Sequence, residues 1–244
     1  MAVYNYSWSI WTKYGVRPMA RSGNDGPKDG PSVLPDTGLL SRAVRRDLFD
    51  LNLAYLDIGL AMADADDPLV SWAPAVRSEI EAAGPAVRER MAACPFSLFK
   101  ISLPVGKDAT QDGPRVEDTG ARSAVGARAA CCIEFSSTAL FAAWRLADSA
   151  PLAARIVFGL MPAEELRLNE LSPSRVAALA ADPGVVRARW PDRPRFWAAL
   201  RSAAESATPV ALQWAHCMGI CLIEGGPTES RGPDPGSATG RRRR

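Results

Sequence analysis

The side chains best suited to chemistry are a single imidazole and five thiols. His216, Cys217 and Cys221 lie together, with the two cysteines one helical turn apart. Cys131 and Cys132 would complete a zinc donor set by residue type. The spacing argues against it, because no C-x2-C pair is present. The neighbours Met218, Ile220 and Leu222 are apolar and predict a buried helix, in which cysteine serves as a small core residue. A nucleophilic Cys–His pair would need Cys94, Cys131 or Cys132 to meet His216 in space. One histidine in 244 residues also restricts general acid–base chemistry. The chain has no GxxxxGK[ST], no GxGxxG and no GxSxG. Acidic pairs such as Glu164-Glu165 and Asp66-Asp67 fall at expected helix ends, where capping and the helix dipole explain them. The expectation is a protein that is not an enzyme, with no catalytic residue, no metal and no cofactor.

Arginine offers a different chemistry. Between residues 151 and 201, eight arginines stand against five acids, a local excess of +3. A Pro-started acidic segment at 162–170 and a Ser172-capped segment at 172–181 read as a helix–turn–helix pair. Arg175 sits at the start of its second helix, within reach of a DNA groove, and Arg187, Arg189 and Arg193 follow as phosphate ligands. On the alternative reading these arginines solvate a helical surface and stack on Trp190 and Trp197. Trp190, Phe196 and Trp197 would then form an apolar patch for a protein partner.

These residues need helices to position them. Val44, Leu48, Leu51, Tyr55, Ile58 and Met62 recur at steps of four and three, which predicts one amphipathic helix of about six turns. Its stripe serves core packing or a dimer seam. Asp67-Pro68 ends it. Ser71 is expected to cap a second helix, with Pro74 in its first turn, and Gly84-Pro85 to divide that segment in two. Residues 95–103, PFSLFKISL, have the alternation of a strand, and 129–135 around Cys131-Cys132-Ile133-Glu134-Phe135 offer a partner for a hairpin. Ser136, Ser137 or Thr138 then caps an apolar helix with Leu140, Phe141 and Trp144. Breaks follow at Ser149-Ala150-Pro151, Gly159 and Asp182-Pro183-Gly184. A helix from Arg195 to about Ser206 and an apolar segment at 209–223 complete the pattern.

The predicted fold class is therefore mainly α, a bundle of two similar helical halves, with a short β-hairpin from 95–103 and 129–135. The halves cover 39–103 and 129–224, joined by a Gly-punctuated linker or long loop at 104–128. Their likeness, Ala54-Tyr55-Leu56 with Asp67-Pro68-Leu69 beside Ala139-Leu140-Phe141 with Ala150-Pro151-Leu152, suggests duplication of a helical unit. Residues 1–38 read as a disordered leader, with Met19 as an alternative start, and 225–244 as a disordered tail ending in four arginines. Asn5-Tyr6-Ser7 fits a glycosylation sequon, which has meaning only in a secreted protein.

A net charge of +2 is too small to predict nucleic-acid binding by itself. Lysine is confined to Lys13, Lys28, Lys100 and Lys107, so the arginine abundance follows the codon bias of a GC-rich genome. No apolar run is long enough to insert in a membrane. An odd number of cysteines without a signal sequence predicts reduced thiols and a cytoplasmic location.

One stretch resembles a known family. Leu146-Ala147-Asp148, Phe158-Gly159-Leu160, Glu164-Glu165, Leu171-Ser172-Pro173, Val176 and Leu179-Ala180 look like the middle of FlhD, the smaller subunit of the bacterial flagellar transcriptional master regulator. Asn52-Leu53-Ala54-Tyr55-Leu56 is similar to that family's opening but lies in the other half. The resemblance spans residues 138–200. It implies an all-helical, dimeric, DNA-associated regulator that works with a partner subunit. The sequence thus predicts a bacterial FlhD-like transcriptional regulator acting through a helix–turn–helix-like segment. The alternative is a non-enzymatic adaptor or accessory protein of a type III secretion or flagellar system.

Overall fold

The computed structural model describes residues 40–62, 67–103 and 124–224. The expected leader, most of the linker, the tail and Asp66 lie outside these residues. Within them the fold is mainly α-helical, with nine helices and one two-stranded ribbon.

Helix α1, Arg42–Ala61, starts where Ser41 Oγ accepts the Val44 amide. Its predicted stripe faces the core, with Leu48, Leu51, Tyr55, Ile58 and Met62 all buried. Helices α2, Pro74–Ala82, and α3, Pro85–Ala92, divide at Gly84. The cap of α2 is Ala73, not Ser71, whose hydroxyl turns back to the Pro68 carbonyl. The next helix, α4, runs over Ala124–Ser149. Helices α5, Pro151–Phe158, α6, Pro162–Glu170, and α7, Pro173–Leu179, then follow with short connections. The chain closes with α8, Pro194–Ser206, and α9, Pro209–Glu224. Proline opens seven of these helices, at a position whose missing N–H would have no intrahelical acceptor.

The expected hairpin is corrected. Strand β1, Phe99–Ile101, pairs antiparallel with β2, Val186–Ala188. Residues 129–135 instead belong to α4, so Ser136, Ser137 and Thr138 are mid-helix and cap nothing. Residues 124–128 are likewise helix and not linker. The physical reason is burial. Phe99 and Ile101 need an apolar partner strand, and Val186 and Ala188 supply it while Lys100 and Arg187 face outward.

The two expected halves share one core. α1 packs on α3 and α4, and α8 packs on α2, α3 and α9. Polar contacts of three side chains tie the centre. Asn52 of α1 donates to the carbonyls of Ala92 and Phe96 and accepts the Leu98 amide at 2.9 Å. The Trp72 indole donates to the Tyr55 hydroxyl at 2.7 Å, and both rings are buried. Gly59 lets that indole lie on α1, since a Cβ there would sit 2.0 Å from it.

Candidate functional site

The arginines expected to meet DNA part company. Arg175 is exposed at the start of α7, where Ser172 Oγ accepts its amide. Arg187 is exposed on β2, its Nε donating to the Gly184 carbonyl. It stands opposite Lys100, so the ribbon's outer face carries two adjacent cations. Arg193, at the N-cap of α8, is half exposed and lies 3.8 Å from Asp192. Arg189 does not belong with them. Its guanidinium donates to the carbonyls of Ser97, Val157 and Ile156 at 2.8–3.2 Å and lies over the Trp190 ring at 5.1 Å. Two of those carbonyls belong to the last turn of α5, where a cation complements the helix dipole. Burial lowers the Arg189 pKa to about 9, which still leaves it charged near neutrality. It is a structural clasp, turned inward to these carbonyls and away from any phosphate in solvent.

The three aromatics expected at a partner surface do come together, but inside. Trp190 and Phe196 have ring centroids 4.5 Å apart, Trp197 lies 5.6 Å from Phe196, and the Trp197 indole donates to the Trp190 carbonyl. All three are buried. Their rings pack on Phe96 and Trp72 and hold the fold, and of the three only Phe196 also lines a groove beside α9.

The thiols and the imidazole separate in the same way. Cys94 and Cys132 are buried, and burial pushes both thiols up, Cys132 to about 12, opposite to what a nucleophile needs. Among the described residues no three His, Cys, Asp or Glu side chains converge on a point where a metal would sit. His216 packs edge-on against Phe96 with both ring nitrogens unpartnered, and burial lowers its pKa to about 4. Cys217 and Cys221 point the other way and are exposed.

That divergence reveals the surface the sequence did not. The apolar neighbours Met218, Ile220 and Leu222 predict a buried helix. α9 buries only one side, through Leu212, Ala215, His216 and Gly219. Gly219 brings it against the core, because a Cβ there would lie 2.1 Å from Phe96. The opposite side stays apolar in solvent. Val210, Trp214, Cys217 and Cys221 follow at steps of four, three and four, with Val210 77% and Trp214 69% exposed. Beside this stripe a groove of about 620 Å³ opens between α9 and the start of α8. Met218, Leu222 and Phe196 form its apolar wall, and Asp192, Arg193 and Arg195 its rim.

Among the described residues no helix is long and apolar enough to cross a membrane. No family model, curated protein or solved structure matches the chain.

Proposed function

We propose that this protein works by binding another protein chain and not by catalysis, and that its contact surface is the outer face of α9 with the groove beside α8. It is an adaptor or accessory subunit on this reading, with the secretion or flagellar setting as its proposed context. The observation that carries the reading is the apolar stripe of Val210, Trp214, Cys217 and Cys221, left in water next to an apolar groove. Such surface is costly to expose, and contiguous patches of it mark interaction sites. The buried, unpaired His216 and the buried thiols of Cys94 and Cys132 fit the same reading, since none is placed to act on a substrate.

A DNA-associated, FlhD-like regulatory role is the second reading. It is favoured by the Ser172-capped α7, which follows α6 after two residues, and by exposed Arg175, Arg187 and Arg193, with Lys100 beside Arg187. The partner subunit and homodimer implied by that family are part of the same proposal.

Two measurements on the full chain separate them. The first is anisotropy titration against mixed duplex DNA at two salt concentrations. Counter-ion release makes real phosphate binding fall steeply with salt. The adaptor reading predicts no binding at low salt. Salt-sensitive binding that is lost on combined Arg175→Ala and Arg187→Ala substitution would transfer the conclusion to the regulator. The second places a photo-cross-linker at Met218 in cells that express the protein. A discrete protein adduct is expected there, and none from a cross-linker at Leu166, which is exposed on α6.

A further inference from the structure

We propose that the occupant of the α9 face is a second copy of this chain, packed antiparallel across a two-fold axis near the middle of α9. The inference rests on the α9 face being the contact surface, and three observations select the copy.

The first is spacing. Steps of four, three and four over Val210, Trp214, Cys217 and Cys221 put four side chains in one row along the helix, the kind of seam one helix offers another. A groove for an extended peptide or a compact ligand would not need an apolar stripe continuing the length of the helix.

The second is shape. In an antiparallel pairing of identical seams, Val210 stands opposite the partner's Cys221, and Trp214 opposite the partner's Cys217. The largest side chain of the stripe therefore meets one of the smallest. A parallel pairing would set Trp214 against the partner's Trp214 and leave the two thiols facing each other across a gap. Alternation of large and small is what lets two faces interdigitate.

The third is charge. α8 and α9 are joined by only Ala207 and Thr208, and α8 packs along α9. The basic start of α8, Arg193 and Arg195, therefore lies beside the C-terminal half of α9. Glu205, at the other end of α8, lies beside the N-terminal half. Antiparallel pairing lowers the N-terminal half of the partner's α9 into the groove and brings the partner's Glu205 to Arg193 and Arg195. Glu205 is 45% exposed and already holds Arg201 at 2.6 Å through Oε1, which leaves Oε2 to accept from Arg195, a residue that makes no ion pair among the described residues. The surface is complementary to itself, as an isologous contact requires.

Area sets the strength. A 16-residue helix is about 24 Å long, so a helix face alone falls well short of the roughly 800 Å² per partner of a standard interface. The rim of α8 must contribute, and the dimer is expected in the micromolar range.

The test is sedimentation equilibrium of the full chain from low to high micromolar concentration. The expected result is a mass rising from 26.1 kDa towards twice that value. Trp214→Ser should weaken association about tenfold or more, and Cys217→Arg should abolish it. Leu166→Arg, on a different exposed surface, should change nothing. Circular dichroism and a thermal melt confirm that each variant folds. A single mass of 26.1 kDa at every concentration would overturn the second copy as occupant and leave the face to another protein. A dimer indifferent to both Trp214→Ser and Cys217→Arg would overturn the inference and also remove α9 from the proposed function. Orientation is read with Val210→Cys in a Cys217→Ser background and a short bis-maleimide. A 210–221 link between copies is expected, and a 210–210 link would overturn the antiparallel register.

Discussion

Arg189 gives its guanidinium to the final carbonyls of α5 and to Ser97, and Gly159 makes room for it. Gly159 has φ 71°, and a Cβ there would lie 2.9 Å from Arg189 Nη2. Arg189→Met should cost about 3 kcal/mol in urea unfolding, because three charge-assisted bonds are lost at once, to the carbonyls of Ser97, Val157 and Ile156. Arg189→Lys should recover little of it, since one ammonium does not span the same acceptors. His216 makes a pH prediction. Its folded pKa of about 4 lies below its unfolded 6.5, so the unfolded chain binds the proton more readily. Stability is then full above pH 6.5 and falls as pH drops towards 4, by on the order of 3 kcal/mol. His216→Leu should flatten that dependence in chemical denaturation at pH 7 and pH 4.5. An unchanged slope would place the ring nitrogens in contact with water.

At the scale of elements, α9 owes its position to one missing side chain. Gly219→Ala should destabilise by roughly 1–3 kcal/mol, because Phe96 is held by Trp190, Phe196 and His216 and has nowhere to move. A thermal melt reads this directly, and an unaltered midpoint would mean that α9 does not rest on Phe96. Much of the element pattern was legible in the sequence, because helix starts are local signals. The stripe of α1, the break at Gly84, the Ser172 cap and the left-handed Gly159 all depend on residues within a turn or two. The partner of β1 was not legible. A three-residue strand carries little information about which distant segment it joins, and Val186–Ala188 looks no more strand-like than the Cys131 region. The inward turn of Arg189 was hidden for a related reason. Counting charge along the chain says nothing of which cation meets the carbonyl end of a helix that lies some thirty residues earlier.

For the whole molecule, the same long-range packing decides which face is left for work. The segment at 209–223 is apolar on every side, and sequence alone assigns all of it to the core. The contact of Gly219 with Phe96, with the burial of Leu212, Ala215 and His216, determines that Trp214, Cys217 and Cys221 look outward. Trp214→Ser should therefore leave the melting temperature within a degree or two, as expected of an exposed position, while impairing association. Loss of the fold in that variant would mean that the indole packs on the body of the protein. The most direct test of the α9 face as the working surface is thiol alkylation, followed by mass spectrometry. Cys217 and Cys221 should react fast in the dilute purified protein while Cys94 and Cys132 stay protected. In living cells that express the protein, Cys217 and Cys221 should become protected as well. Equal reactivity of those two thiols inside and outside the cell would contradict a covered α9 face and the binding role built on it.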